Sequence, residues 1–179
     1  MAPKKNRNST STGDTAVLIK APYLYLGPRT SASASFVAAH GITHVLSIGS
    51  TPPSTLPGVE YHRLSLSDDL SSPLDKVISG ANDIISAVAA MPSGRILLHC
   101  SAAVSRSPTV VAAYLVSKCQ MSLKAALGVI INARPAVCPN TGFLAQLKEL
   151  EMTLRGECSL DVDILPAKKT DRVAMFKSG

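Results

Sequence analysis

Four residues in the middle of the chain have the types and the spacing of a site for phosphate chemistry. His99, Cys100, Arg106 and Ser107 stand as H-C-x5-R-S within the segment RILLHCSAAVSRSPTV. Because the residues between the cysteine and the arginine are small or short, this loop can curl around a tetrahedral dianion. Its backbone N–H groups can then point inward as phosphate donors, and they belong to Ser101, Ala102, Ala103, Val104, Ser105 and Arg106.

These residues could transfer a phosphoryl group through a covalent intermediate. The inward amides, together with the positive end of a helix that starts near Pro108, favour Cys100 as a thiolate, the nucleophilic form of cysteine. A thiolate that attacks phosphorus gives a phosphocysteine. The planar guanidinium of Arg106 can bind two phosphate oxygens and stabilise the transition state. The hydroxyl of Ser107 can be offered to the sulfur when it later leaves.

The leaving alcohol or phenol needs a proton from a general acid outside this loop. Asp68 and Asp69 lie in a polar, acidic stretch at residues 67–72, and the helix and strand that follow would return the chain so that this stretch lies beside Cys100. Spacing alone leaves both carboxylates open as the acid, which would then act as base for the attacking water. The scheme requires no metal and no cofactor.

The hydrophobic pattern predicts one domain in which a strand and a helix flank the cysteine loop. Strands come mainly in the first hundred residues and helices dominate afterwards, which predicts an α/β or α+β fold with a central sheet. A disordered basic tail is expected at 1–15, the folded domain at 16–156 and a second tail at 157–179. Predicted strands cover 16–19, 23–26, 43–48, 59–66 and 95–99; predicted helices cover 30–39, 74–91, 122–132 and 141–155, with a further helix beginning at Pro108 behind Ser107 as its N-cap.

The composition argues against several other classes of protein. Half of the formal net charge of +6 lies in the first twenty residues, and no basic stripe with interleaved aromatics indicates nucleic-acid binding. No apolar run approaches the ~20 residues that span a bilayer. The four cysteines form neither a CxxC pair nor a metal-binding spacing, so we expect a reduced protein of the cytoplasm, the nucleus or both. Nothing indicates an oligomeric state.

Between about Ala16 and Arg155 the chain resembles the dual-specificity protein phosphatases of the atypical type, a branch of the Cys-based protein tyrosine phosphatase superfamily. APYLYLG and GITHVLSIG resemble that family's first strands, and AYLV at residues 113–116 resembles the helix after the signature loop. HCSAAVSRSP resembles the signature loop itself, usually HCxxGxSRSP. PNTGFLAQL at residues 139–147 resembles the family's PNxGFxxQL-like element.

The resemblance implies a mostly parallel sheet of about five strands flanked by helices, as in the tyrosine phosphatases. It implies Cys100 as nucleophile, Arg106 as phosphate binder and Ser107 as the hydroxyl that aids breakdown of the intermediate. It also favours Asp68 over Asp69 as the acid. Around the site, it implies Asn140 as a hydrogen-bonding support of the phosphate loop. His99 is interpreted as an orienting or core group rather than a base.

One residue departs from the family pattern, since Ala103 stands where the family usually has glycine. If this position needs a positive φ, the alanine is strained at a cost of order 1 kcal/mol. The three other histidines, His40, His44 and His62, show no pairing in the sequence and are assigned no role.

The resemblance implies phosphotyrosine and phosphoserine or phosphothreonine of proteins as substrates, with kinases as targets by analogy only. Two alternatives stay open: a phosphatase of phosphoinositides or other non-protein phosphates, and a phosphate-binding module with little turnover. The uncharged loop sequence SAAVS at residues 101–105 argues against highly charged head groups. Only the alanine at position 103 supports the binding module.

Overall fold

The computed structural model describes residues 15–177, and a five-stranded sheet in the order β1-β2-β5-β3-β4 forms its centre. Strand β1 runs antiparallel to β2, and the other neighbours are parallel. The predicted mostly parallel sheet is thereby confirmed. The expected tail at 1–15 lies almost wholly outside the described residues. The strands are β1 (Val17–Lys20), β2 (Leu24–Gly27), β3 (His44–Ile48), β4 (Glu60–Leu64) and β5 (Ile96–His99).

Six helices surround this sheet in the described part of the chain. The central helix is buried along residues 107–116 and packs against the helices before and after it, as expected of a helix that is apolar on all sides. The central strands β3 and β5 are buried throughout. The helices are α1 (Ala34–Ala39), α2 (Asp75–Ala89), α3 (Arg106–Ser117), α4 (Leu123–Ala133), α5 (Thr141–Arg155) and α6 (Lys169–Met175).

Parallel pairing determines where the chemistry can gather. Strands β2, β3, β4 and β5 all run in the same direction, so the loops that follow them leave from one edge of the sheet. In open sheets with parallel strands, ligands bind outside this carboxyl edge. Cys100 directly follows β5, and Asp68 follows β4 by four residues, so the topology brings the predicted nucleophile and acid to the same edge.

The predicted start of the central helix at Pro108, with Ser107 as its N-cap, is wrong. Helix α3 begins at Arg106, and Pro108 is its third residue. Proline is tolerated there because the first four N–H groups of a helix have no intrahelical partner. The predicted helix at 30–39 is interrupted, since a 3₁₀ turn at Arg29–Ala32 precedes α1 and the Ser33 hydroxyl caps α1 by accepting from the Phe36 amide.

The chain beyond Gly156 packs back onto the domain. Leu160 and Leu165 are buried, and the short α6 lies against α4. The guanidinium of Arg172 is buried and donates to the carbonyls of Pro135 and Pro166. Weak periodicity hid this seven-residue helix in the sequence. None of the helices between residues 15 and 177 has the length and apolarity needed to cross a bilayer.

A buried carboxylate joins this last segment to the helices. Glu151 on α5 is completely buried. Its oxygens accept from the amide of Leu123 at the start of α4 (2.8 Å) and from the amide of Ser159 (2.9 Å). Arg155 stands 3.8 Å away as a counter-charge. A buried charge persists only when it is paired and hydrogen-bonded in this way, so Glu151 links α4, α5 and the final segment.

We expect Glu151→Ala to lower the free energy of unfolding by about 3 kcal/mol, because it leaves two amide donors without their acceptor. The measurement is urea denaturation followed by circular dichroism. Glu151→Gln, which keeps one acceptor oxygen, should lose less. The exposed Glu149 on the same helix provides the control, and Glu149→Ala should change stability by less than about 0.5 kcal/mol. Equal losses for the two alanine variants would contradict the assigned role.

Candidate active site

The loop after β5 is held from outside by its carbonyl groups. Each carbonyl at residues 100–104 accepts a hydrogen bond from a donor beyond the loop. His99 Nδ1 binds the first carbonyl at 3.2 Å and the Arg29 amide binds the second at 3.0 Å. Arg134 binds the third and fourth at 3.0 and 3.2 Å, and the Cys138 amide binds the last at 2.8 Å.

This outward anchoring determines the direction of the amides. In a trans peptide the carbonyl of one residue and the N–H of the next point in opposite directions. Five outward carbonyls therefore turn the N–H groups of residues 101–105 toward the centre of the loop. The Arg106 amide joins them as the first N–H of α3. The loop consequently forms the amide-lined bowl that binds phosphate in other folds.

At the bottom of the bowl, Cys100 and Ser107 lie side by side. Cys100 is 2% exposed and Ser107 is fully buried. From the second position of α3, the Ser107 hydroxyl donates to Cys100 Sγ at 3.2 Å. The predicted nucleophile and its hydroxyl partner are thus in direct contact.

The guanidinium of Arg106 closes one side of the bowl. Its Nη1 donates to the Gly49 carbonyl at 2.6 Å, and its Nη2 donates to Ser101 Oγ at 3.1 Å. Its Nε is buried and has no hydrogen-bond partner among the described residues, although Asp68 Oδ2 lies 3.8 Å away. A buried donor without a hydrogen-bond partner is rare, and here it belongs to the residue predicted to bind phosphate.

Gly49 makes room for this arginine. Its φ is +56°, and a Cβ on this residue would lie 2.7 Å from Arg106 Nη1 and would clash with the Leu66 carbonyl. Any side chain here would displace the arginine or the backbone leading to Asp68. The sequence signal was only a glycine directly after a predicted strand.

Asp68, but not Asp69, is bound to the loop. Its Oδ1 accepts from Ser105 Oγ at 2.8 Å and from Asn140 Nδ2 at 2.9 Å. Ser105 Oγ also accepts from the Asn140 amide at 3.1 Å, while Asn140 Oδ1 caps α5 through the Phe143 amide. The predicted acid, the loop and the predicted support residue therefore form one hydrogen-bonded unit.

His99 holds the start of the loop by a hydrogen bond to the Cys100 carbonyl. Since a carbonyl only accepts, Nδ1 carries the proton given to the Cys100 carbonyl, and Nε2 accepts from Ser47 Oγ at 2.8 Å in the neutral ring. Burial lowers the pKa of His99 below its ordinary value, outweighing the hydrogen bond to the Cys100 carbonyl, which raises it. The two hydrogen bonds and the lowered pKa support the prediction that His99 is an orienting group rather than a base.

The alanine in the phosphate loop does adopt the conformation that favours glycine. Ala103 has φ 52° and is fully buried. The sequence predicts this strain but gives no sign of Arg134, which donates to the carbonyls of Ala102 and Ala103 on either side of the strained residue. Arg134 is 6% exposed and comes 31 residues after Ala103 in the chain, so no local pattern could connect the two.

Known proteins with similar sequences agree with this geometry. Residues 24–153 match the family described as dual specificity phosphatase, catalytic domain. The chain belongs to the dual-specificity phosphatases. Rat dual specificity protein phosphatase 5 is 36% identical over 132 residues, which cover 73% of this chain and 34% of that protein. Mouse dual specificity protein phosphatase 19 is 29% identical over 163 residues, 89% of this chain and 71% of that protein.

Solved phosphatase structures show the same architecture. Human DUSP28 aligns with a TM-score of 0.72 at 30% identity, covering 78% of this chain and 95% of that one. A mouse dual specificity phosphatase complexed with zinc tungstate aligns with a TM-score of 0.74 at 29% identity, covering 85% and 96%. The chain therefore carries a dual-specificity protein phosphatase domain, although it spans only about a third of the rat relative.

In this phosphatase domain, Arg134→Met should reduce turnover of para-nitrophenyl phosphate. The variant keeps the apolar stem but leaves the Ala102 and Ala103 carbonyls without donors, so the bowl loses its shape. We expect kcat/KM to fall at least about tenfold, which corresponds to about 1.4 kcal/mol of transition-state stabilisation. Arg63→Met, at an exposed position of β4, is the control. Unchanged kcat/KM in Arg134→Met would show that the loop does not need this clamp.

The neutral His99 makes the stability of the phosphatase domain sensitive to acid. Because its pKa is lowered in the folded state, the unfolded chain takes up the proton first as the pH falls below about 6.5. Between pH 7.5 and 5.5 this residue should cost at most about 1.4 kcal/mol of unfolding free energy. Urea denaturation of His99→Gln should show a smaller loss over that range. His40→Gln is the matched control, and an identical pH dependence in His99→Gln and wild type would refute the assignment.

Proposed function

We propose that this chain hydrolyses phosphotyrosine and phosphoserine or phosphothreonine of proteins through a phosphocysteine formed on Cys100. The observation that carries the proposal is the outward anchoring of the carbonyls at residues 100–104, which surrounds the sulfur with inward amides. Such an arrangement binds a tetrahedral anion beside the sulfur. No metal or cofactor enters the reaction.

In the first step the thiolate attacks phosphorus and the bond from phosphorus to the substrate oxygen breaks. The amides and Arg106 receive the negative charge that the equatorial oxygens carry in the transition state. Arg106 is well placed for this because Gly49 holds one end of the guanidinium while the buried Nε has no other hydrogen bond within the described chain. A donor that is already fixed in place costs little reorganisation free energy in the transition state.

Asp68 protonates the leaving oxygen in the same step. Its Oδ1 already accepts two hydrogen bonds, from Ser105 and from Asn140. This leaves Oδ2 as the oxygen that carries the transferable proton. Ser105 and Asn140 therefore fix the rotation of the carboxyl group and aim Oδ2 at the substrate.

In the second step water attacks the phosphocysteine and the bond from phosphorus to sulfur breaks. Asp68, now ionised, takes the proton from the water. Ser107 donates to Cys100 Sγ, as the 3.2 Å contact supports, and so stabilises the thiolate as it leaves. Inorganic phosphate departs, and both Cys100 and Asp68 return to their starting states.

The exposure of the rim supports both classes of phosphoamino acid as substrates. Ser101, Ala102 and Asp68 are exposed, so the bowl opens at the surface. A short phosphoserine and a longer phosphotyrosine can both approach such a rim. Phosphoproteins are thus the proposed partners, with kinases among them by family analogy. The need to keep Cys100 reduced supports the cytoplasm, the nucleus or both as the location.

The family membership favours protein phosphatase activity over the alternatives. The bowl residues from Ser101 to Ser105 carry no charge, which argues against phosphoinositide head groups. A binding module with little turnover is favoured only by the strain at Ala103, and Arg134 offsets that strain by holding the peptides on either side of it. Turnover itself decides between the enzyme and the binding module.

We expect Asp68→Asn to lower kcat by about 10²–10⁴ on a phosphoserine peptide, whose alkoxide needs a proton to leave. The loss should be much smaller on para-nitrophenyl phosphate, which has a good leaving group. Cys100→Ser should abolish turnover of both substrates. Steady-state phosphate release at pH 6–7 measures these effects.

Asp69→Asn is the matched control and should keep wild-type kcat on both substrates. Equal activity of Asp68→Asn and wild type on the phosphoserine peptide would remove Asp68 as the acid. Wild-type protein that binds phosphopeptides but releases no phosphate would support the binding module. Faster hydrolysis of phosphoinositides than of phosphopeptides would support the second alternative.

A further inference from the structure

Three potential metal ligands meet on one face of the sheet, at the opposite end from the phosphate loop. His44 is the first residue of β3 and pairs in register with Glu60, the first residue of β4. Glu60 and His62 are two residues apart on β4, so their side chains leave the same face of the strand. One side-chain nitrogen or oxygen from each of the three residues lies within 4.8 Å of the others.

The hydrogen bonds of Thr43 determine which nitrogen of His44 is free to bind. Thr43 Oγ1 donates its single proton to the Arg95 carbonyl at 3.0 Å. It must therefore accept at its 2.8 Å contact with His44 Nδ1, so Nδ1 carries a proton. In the neutral ring, Nε2 then presents a lone pair. A histidine ligand whose second nitrogen donates to a fixed partner is the usual arrangement at metal sites.

That lone pair faces a carboxylate. His44 Nε2 lies 3.3 Å from Glu60 Oε2, and His62 Nε2 lies 3.2 Å from Glu60 Oε1. The contact between His44 and Glu60 joins two acceptors, which repel each other unless a cation stands between them, either a proton or a metal ion. Asp83 of α2 lines the same cavity of about 270 Å³ and adds a second negative charge that favours a divalent ion.

We propose that His44, Glu60 and His62 bind one Zn²⁺ ion, with water in the remaining position. Imidazole nitrogen and carboxylate oxygen are zinc ligands at about 2.0–2.2 Å, and two ligands of a tetrahedral ion stand roughly 3.4 Å apart. Each of the two contacts of Glu60 has about this spacing, one through Oε2 and the other through Oε1. His62 on the edge strand, whose side chain is 24% exposed, completes the set by a side-chain rotation.

The position of the site indicates a structural ion rather than a catalytic one. Strand β4 is the edge of the sheet and pairs only with β3 in the described chain. Ligands on both strands would clamp this edge. The metal site does not depend on the proposed phosphatase activity, because the reacting groups lie at the carboxyl ends of the strands.

Isothermal titration with Zn²⁺ alone, in a Cys100→Ser background, tests the proposal. That background removes the catalytic thiolate, which would itself bind zinc. We expect one ion per chain, a melting temperature that rises with zinc, and shifted side-chain nitrogen resonances of His44 and His62. Glu60→Gln and His62→Gln should each weaken binding at least about tenfold. Both positions are at least partly exposed, so both variants should fold. A thermal melt of each variant in the presence of a chelator verifies this.

His40→Gln in the same background is the matched control, because His40 is exposed and outside the cluster. It should bind zinc like its parent. The proposal is overturned if no saturable binding is found, or if Glu60→Gln and His62→Gln bind as tightly as the control. It is also overturned if zinc binding is lost when Cys119, Cys138 or Cys158 is replaced, and is kept when Glu60 or His62 is replaced. In each of these cases the histidines share protons with Glu60 and hold no metal.

Discussion

The active site of this protein depends on carbonyl groups that point away from it. A loop of backbone amides cannot gather around one point unless the opposite ends of those peptides are held elsewhere, because buried carbonyls without partners cost free energy. Here the holding groups come from four separate parts of the chain: His99 below, Arg29 beside β2, Arg134 after α4 and Cys138 before α5. The anion bowl is thus a property of the whole domain, and its short motif supplies only the inner surface.

The same loop also carries the hydrogen bonds that position Asp68, the proposed acid. Ser105 lies within the bowl and binds Asp68, while Asn140 binds both and caps α5. Gly142 permits this arrangement, since a Cβ there would clash with the backbone of Leu70. The loop that holds Asp68, the phosphate loop and α5 are therefore joined in one hydrogen-bonded group. Preorganised donors of this kind need little rearrangement when substrate binds. Electrostatic stabilisation of a transition state is most effective under this condition.

The sequence predicted the parts of the site that local chemistry encodes. Cys100, Arg106 and Ser107 are recognisable because the loop spacing is short, and Asp68 because acidic residues stand at the end of a predicted strand. Arg134 and Gly49 were missed because their partners lie 31 and 57 residues away, so the contacts exist only after the strands and helices have packed. His44 and His62 were given no role for a related reason. Their side chains come together because of the register between β3 and β4. The alternation of apolar and polar residues within one strand gives no information about that register.

The buried Glu151 links the stretch after Gly156 to the catalytic fold. The family match stops at residue 153, yet the carboxylate of Glu151 takes hydrogen bonds from both the amide and the hydroxyl of Ser159, and Phe176 covers Gly128 of α4. A fragment cut at the helix end would expose the α4 surface and would remove two of the donors that make the buried charge tolerable. We therefore expect the catalytic fold and the stretch after Gly156 to unfold together, so that a fragment able to fold on its own would reach to about Phe176.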